Sequence, residues 1–410
     1  MSEYSRQTLF SWAVGKGHDA LVMVMLGWEG LDVNEADRDG RTPLSLAAVK
    51  GRDGVVGLLL EREDVRPNMT DGSGATPLMY AAQFGYDRVV KLLLEREDIS
   101  PDIANNYGNT PLLWAAKGGH YGVVKLLLRC KNVKPNATDI VGRTPLSWAA
   151  AGGYRRVVQI LLGRGDVDPN ITDNIGRTAL SWAAENWDDR MVKLLLERED
   201  IVPDTQDYFG QTPLTISARR GRERVVELLL GCEDVNPNIK DGADRTPLLW
   251  AAVFGDHRTV RVLLESEDVN PNMSDDSGRT PLSWAAERGK DRVVELLLGR
   301  EDVNPDLANH SGDTPLSTAA RFGRHRVVEL LLRCQNVDPN MTDKFGQTPI
   351  SWAVMSGKDK VVQLLLGLEA VDTNIADNDG RTPLWWASCV GNEAAMNLLQ
   401  ARQSANLNAV

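Results

Sequence analysis

The chain has 410 residues, 42% of them hydrophobic and 25% charged, with a formal net charge of −11. That length exceeds what one compact core usually serves, so several domains or one elongated array are expected, and the acidic balance opposes the phosphate-neutralising surface that nucleic-acid binding needs. No apolar run approaches membrane-spanning length and the start MSEYSRQTLF lacks the basic and apolar parts of a secretory signal, so the cytosol, or the nucleus, is the expected compartment and no membrane partner is expected.

Residues 1–7 read as a lead-in. Threonine then recurs at Thr8, Thr42, Thr76, Thr110, Thr144, Thr178, Thr212, Thr246, Thr280, Thr314, Thr348 and Thr382, every 34 residues without a slip. This divides 8–381 into eleven units and leaves 382–410 as a twelfth unit with a C-terminal cap. Proline follows the threonine in ten of the twelve, Leu9 and Ala179 being the exceptions. In the first unit Met23, Trp28 and Leu31 stand where many other copies are polar or charged. Such an apolar end is expected either to dock another domain or a second chain, or to be left by truncation of a longer gene.

Each unit predicts two helices. In the copy that starts at Thr280, the first runs from Pro281 to Glu287 and stops by Gly289, and DRVVELLL over Asp291–Leu298 predicts a second that is apolar over much of its circumference. The threonine hydroxyl can cap the first amides while proline takes a position whose N–H would go unused. Pro271 forbids continuation of the preceding helix, and Asp275 to Gly278 form a turn. A unit this small cannot bury its own apolar surface, so stability must come from stacking on neighbours in an all-α solenoid.

Thr-Pro-Leu, a paired Ala-Ala, a glycine and a Val-Val-x-Leu-Leu-Leu helix together resemble the ankyrin repeat, over almost the whole chain. The resemblance implies stacked helix-turn-helix units with hairpin loops, a concave groove, and a non-enzymatic role in binding proteins. Two departures stand out. The family's histidine after Thr-Pro-Leu is serine in most copies, as at Ser147 and Ser283, and the glycine ending the second helix is mostly glutamate, as at Glu63, Glu97 and Glu301. The REDVxPN text resembles the 34-residue arrays of filamentous fungi, which occur free-standing or after a nucleotide-binding NACHT module.

The position four after each threonine holds Trp12, Leu46, Tyr80, Trp114, Trp148, Trp182, Ile216, Trp250, Trp284, Thr318, Trp352 and Trp386. Helical geometry sets it opposite the stacking alanines, on the groove side. Two roles stay open: an aromatic ladder in which each ring lies across the next, and a row of binding hot spots. Variable residues beside it, among them Arg219, Arg220, Phe254 and Arg288, with a rim of arginines at Arg143, Arg177, Arg245 and Arg279, suit a protein or peptide carrying carboxylates. Trp114, Trp148, Trp182, Trp250, Trp284 and Trp352 complete that expected groove.

The array is least regular from Ala179 to Asp244: Trp187 replaces the inter-helix glycine, Ile216-Ser217 breaks the Trp-Ala pair and Asp244 replaces the hairpin glycine. Both glycines occupy turns where a side chain is strained. Drift and a specialised ligand contact at Trp187 are the two readings.

The other residue types offer no chemistry. Cys130, Cys232 and Cys334 recur every third unit, too far apart for a disulfide and read as reduced thiols. The histidines lie in different units without zinc spacing, and no phosphate loop, nucleophile elbow or kinase signature occurs, so neither metal, cofactor nor catalysis is expected. The arginine column on the second helices, including Arg88, Arg224, Arg292 and Arg326, is expected to form ion-pair ladders between layers rather than a nucleic-acid stripe. Gln400 and the alanines of the last unit read as a polar cap. The function expected is that of a monomeric interaction scaffold. The alternatives are a regulatory or sensor fragment of a larger NACHT-type protein and a scaffold that is mainly structural.

Overall fold

In the computed structural model the backbone is described for residues 3–408 except 187, and side chains for 7–404 with the same exception. The Trp187 substitution therefore lies outside the described residues. Among those residues are 24 helices in consecutive pairs and no strand. The chain forms two compact units, Met1–Thr205 and Gln206–Val410. In the first unit, the first helix of each repeat packs on the first helix of the next, as Pro77–Phe84 does on Pro111–Gly118, and second helices pack likewise on second helices. The second unit follows the same order from Pro213–Arg219 onward. Each unit is thus an all-α solenoid two helices deep. The first helix of the chain already begins at Glu3, ahead of Thr8, so the lead-in is not a separate element.

Helix starts follow the threonine. Thr144 is extended and its Oγ1 accepts from Ser147 N at 3.1 Å, while Ser147 Oγ accepts from Thr144 N at 2.9 Å. The serine that replaces the family's histidine closes a capping box inside its own repeat. Ala149 and Ala150 are buried, as are Val157, Val158 and Leu161 of the second helix. Small residues on the first helix let its neighbours approach, and the aliphatic second helix fills the layer behind.

Three further columns join repeat to repeat. At the hairpin tips within each unit, one amide of a loop donates to the loop before it, as Asn174 N does to Val141 O at 2.9 Å. Arginine at the end of the second helix reaches back: Arg96 Nη1 donates to Leu60 O and Arg62 O at 3.1 and 3.0 Å, while Nε and Nη2 hold Asp98 at 2.8 and 2.7 Å. This clip satisfies carbonyls left over at the preceding helix end, in the stretch where the family's glycine is missing. The arginine column at the start of the second helices behaves otherwise. Arg88 pairs with Asp53 of the previous repeat at 3.2 Å, but Arg224 and Arg326 turn to Glu227 and Glu329 of their own helices. The continuous inter-layer ladder is not formed, because an exposed arginine reaches a partner one turn along its own helix at less entropic cost.

The third column is asparagine. Asn272 Nδ2 donates to Asp302 O at 2.6 Å and its Oδ1 accepts from Asn304 N at 2.9 Å, so one side chain clasps two backbone groups of the next repeat. Every third copy has aspartate instead, at Asp102, Asp204 and Asp306. Asp306 Oδ2 accepts from Asp338 N at 2.8 Å, and its Oδ1 is buried without a hydrogen bond where an asparagine would donate. Burial pushes the Asp306 and Asp102 carboxyls above the ordinary aspartate value. The folded state then holds a proton that the unfolded state has released, so this contribution is present at low pH and lost as pH rises through the folded value. Asp306→Asn is expected to stabilise the second unit by about 1 kcal/mol at neutral pH, with the gain shrinking in acid, as read by urea unfolding at both pH values.

In the first repeat Met23 is exposed, together with Trp12, Leu21 and Val24, whereas Trp28 and Leu31 are half-covered. In the last, Trp385 and Val390 are also exposed, so the C-terminal repeat is less polar than the sequence implies. No described helix is long and apolar enough to cross a membrane.

Candidate functional site

Most hairpin loops are organised by one aspartate, whose place Asn105 and Asn309 take in two of them. Asp173 Oδ1 accepts from Ile175 N and Arg177 N at 3.1 and 3.0 Å, which leaves Oδ2 facing the first helix that follows. There the tryptophan one turn into the helix donates to it: Trp182 Nε1 to Asp173 Oδ2 at 2.9 Å. The same bond joins Trp148 to Asp139, Trp250 to Asp241, Trp284 to Asp275, Trp352 to Asp343 and Trp386 to Asp377, at 2.8 to 3.1 Å. Tyr80 makes it to Asp71 through its hydroxyl. Burial alone would raise the Asp241 carboxyl, but the amides of Ala243 and Arg245, the Trp250 indole and the Arg245 charge outweigh it and hold it below the ordinary value. The Asp377 carboxyl is lowered against its burial in the same way. Burial and the nearby Asp71 carboxylate push the Tyr80 phenol up to about 12.

The rings do not stack on each other from repeat to repeat. Among the described residues the close ring pairs are Trp12–His18, Phe84–Tyr86, Trp250–Phe254 and Trp385–Trp386, none of which joins tryptophans of successive repeats. Cations lie between them instead. In the first unit Lys117 Nζ is 5.2 Å from the Trp114 ring and 4.0 Å from Trp148, and the Arg143 guanidinium is 4.3 Å from Trp148 and 3.8 Å from Trp182. Arg177 follows at 4.9 Å from Trp182. The aromatic ladder is therefore a cation–π ladder, since half-buried rings offer their negative faces to charges held by their own or the preceding repeat.

The second unit repeats the theme in shorter runs. Arg219 and Arg245 lie 5.7 and 4.0 Å from Trp250, Arg279 and Arg288 3.7 and 5.5 Å from Trp284, Arg321 4.5 Å from Trp352 and Arg381 4.6 Å from Trp386. Phe254 stacks on Trp250 at 5.8 Å yet stays 56% exposed. Arg220 follows the first helix of its repeat as the C-cap and is exposed.

Within each unit the structure thus brings most of the expected groove residues together but changes what they offer. The rim arginines are not free charges: Arg143 pairs with Asp173 at 3.5 Å, Arg177 with Glu185 at 2.8 Å, Arg245 with Asp241 at 3.4 Å and Arg279 with Asp275 at 3.3 Å. Sequence reasoning missed the loop aspartates, although their signal was present as an acid nine residues before each of these tryptophans except Trp114. It also missed the apolar hairpin tips, where Tyr107, Ile140 and Val141 in the first unit and Tyr208 and Phe209 in the second are exposed.

No cluster of chemistry accompanies them. Among the described residues no three histidine, cysteine or acidic side chains are placed to hold a metal. Cys130, Cys232 and Cys334 are free thiols whose Sγ atoms point to backbone carbonyls one turn back, and burial pushes each thiol up. That is the opposite of what a nucleophile needs.

The family model described as "Ankyrin repeats (3 copies)" matches residues 53–139, 100–173, 146–241, 191–275, 248–343 and 316–410. No curated protein matches the chain.

Proposed function

Because the chain belongs to the ankyrin repeat family, whose repeats generally mediate protein–protein interaction, we propose that it holds a protein or peptide partner on the groove side formed by its first helices and hairpin loops. The observation that carries this reading is the set of phenylalanines left in water beside the tryptophan column: Phe84, Phe254 and Phe322 are 47, 56 and 42% exposed at the ends of their first helices. Large rings outside the core on a rigid scaffold have the composition of interface hot spots, and Arg321 lies 5.7 Å from the Phe322 ring. The tryptophans then serve as a half-buried bed under the partner rather than as its anchors. An acidic partner gains only the charge that the loop aspartates leave on Arg143, Arg245 and Arg279. A monomer acting in the cytosol or nucleus without cofactor or catalysis completes the proposal.

The second reading, docking of another domain or chain on the first repeat, rests on exposed Trp12, Leu21, Met23 and Val24. The two part company in one experiment. A random peptide library is panned on the full chain, and the selected peptides are titrated against Phe84→Ala with Phe254→Ala, and separately against Met23→Ser with Val24→Ser. Loss of about tenfold in affinity from the phenylalanine pair, with unchanged melting, supports the groove. Loss confined to the first-repeat pair transfers the function there.

A further inference from the structure

One rung of the cation–π ladder is missing in a way that leaves a built pocket. In the first unit Arg143 sets the pattern: its guanidinium lies between the ring of its own repeat, Trp148, and that of the next, Trp182, and its Nε is 3.5 Å from the next loop's Asp173. Arg279 in the second unit has the same place and stacks on Trp284 at 3.7 Å. In the repeat after it, however, the ring is replaced by Thr318 and the loop aspartate by Asn309. Asn309 presents its Nδ2 to Asp313 Oδ2 at 3.2 Å, so it offers Arg279 no carboxylate. The Arg279 Nε is consequently buried without a hydrogen-bond partner. A cavity of 190 Å³ lies there, lined by Arg279, Glu287, Asn309, Asp313, Thr318 and Arg321 among others.

The walls of this cavity are matched to a flat ring. Arg279 is already braced on one side by Trp284, and Arg321 on the far side is braced by Trp352 at 4.5 Å. Filling the gap with one aromatic ring would restore the alternation of Trp284, Arg279, ring, Arg321 and Trp352. The volume exceeds the roughly 150 Å³ that suffices to bind benzene. Asp313, standing where half of the repeats have arginine, supplies an acceptor for an indole N–H or a phenol O–H, as the loop aspartates do elsewhere. The orphan Nε of Arg279 calls for an acceptor such as the main-chain carbonyl next to that ring.

We propose that the pocket at Thr318 is a binding site for an aromatic residue, tryptophan or tyrosine, of a peptide segment, whose ring takes the place of the missing tryptophan between Arg279 and Arg321. The proposal rests on the reading that the groove side takes a protein partner, and it names the anchor that such a partner carries. Two other departures from tryptophan do not make such a site: Ile216 is fully buried, and Tyr80 keeps the bond to its aspartate.

The test needs no natural partner. N-acetyl-tryptophanamide is titrated into the full chain by saturation-transfer NMR, with N-acetyl-leucinamide as the apolar comparison. The wild type is expected to bind the indole compound at least about tenfold more tightly than the leucine compound. Thr318→Trp supplies the ring from inside and is expected to abolish binding while melting no lower than wild type. Arg279→Met, which keeps a chain against Trp284 but removes the guanidinium, is expected to weaken binding by about tenfold and covers the case in which Thr318→Trp fails to fold. Equal binding of the two compounds, or undiminished binding of the indole compound by a folded Thr318→Trp chain or by Arg279→Met, overturns the proposal. Because these readouts involve no partner, they are independent of the peptide titrations with Phe84 and Phe254 that decide the groove itself.

Discussion

Replacing Asp173 with alanine is expected to destabilise the first unit by about 3–5 kcal/mol, which is at the top of the range for one side chain. The carboxylate is only 3% exposed and carries four interactions: two loop amides at 3.1 and 3.0 Å, the Trp182 indole at 2.9 Å and the Arg143 guanidinium at 3.5 Å. Alanine leaves the donors behind in a site closed to water, and the positive charge of Arg143 loses its counter-ion there. Asparagine is a milder change. Asn105 shows that an amide oxygen can receive both loop N–H groups, from Tyr107 and Asn109 at 3.0 Å each. In Asp173→Asn, however, the new Nδ2 meets the indole N–H donor to donor, for a loss of about 1–3 kcal/mol. Native-state hydrogen exchange is the appropriate readout, because stacked repeats can open locally without unfolding the whole. Protection of the Ala179–Glu185 helix amides should fall in the order wild type, asparagine, alanine, and equal protection in all three would sink the role assigned to the loop carboxylates.

Gly142→Val is expected to cost about 2–5 kcal/mol, from a left-handed backbone and a steric clash that act together. Gly142 has φ of 79°, and a Cβ there would stand 2.8 Å from Asn174 N and 3.0 Å from Asp173 Cα. Both contacts are backbone and belong to the next hairpin, so a rotamer change offers no relief. The amide being struck is the one that donates to Val141 O and ties the two loops together. The protein contains its own partial version of this substitution. Asp244, at φ of 59°, is the one non-glycine with positive φ among the described residues, and the link beside it, Asp276 N to Ala243 O, is stretched to 3.4 Å. The preceding link in that unit, Gly242 N to Phe209 O, is 2.8 Å. Asp244→Gly should therefore move the other way and stabilise by about 1 kcal/mol in urea unfolding. Two changes of opposite sign at equivalent positions separate the strain of the turn from any general effect of altering a loop. No change from either would show that the hairpin tips do not hold the stack.

Much of the fold was legible because it depends on neighbours in sequence. A threonine before a proline starts a helix by capping its first amides, and a glycine at positive φ ends one, whatever lies around it. The alanine pair and the aliphatic second helix announced the stacking surfaces through periodicity alone. The candidate site was legible only in outline. The row of tryptophans could be placed on the groove side, but neither the cation between the rings nor the acceptor of the indole could be read. Nor could the partner of the serine that replaces the family's histidine be read: Ser147 bonds within its own repeat, and the inter-repeat bonds are made by Asn, Arg and loop amides.

By itself, then, the sequence determined the repeat, its period and the helix ends, since all of these follow from local propensity or from a pattern copied down the chain. Tertiary structure alone decided what the tryptophans and arginines touch. Arg143 sits on Trp182 of the following repeat and pairs with Asp173 there, so its charge is spent inside the stack rather than shown to solvent. The same geometry turns three unremarkable letters, Asn309, Asp313 and Thr318, into a pocket beside an unpartnered Arg279 Nε. Stacking brings side chains a full repeat apart into contact, and the energy of a charge against a ring depends on that distance and not on its place in the text.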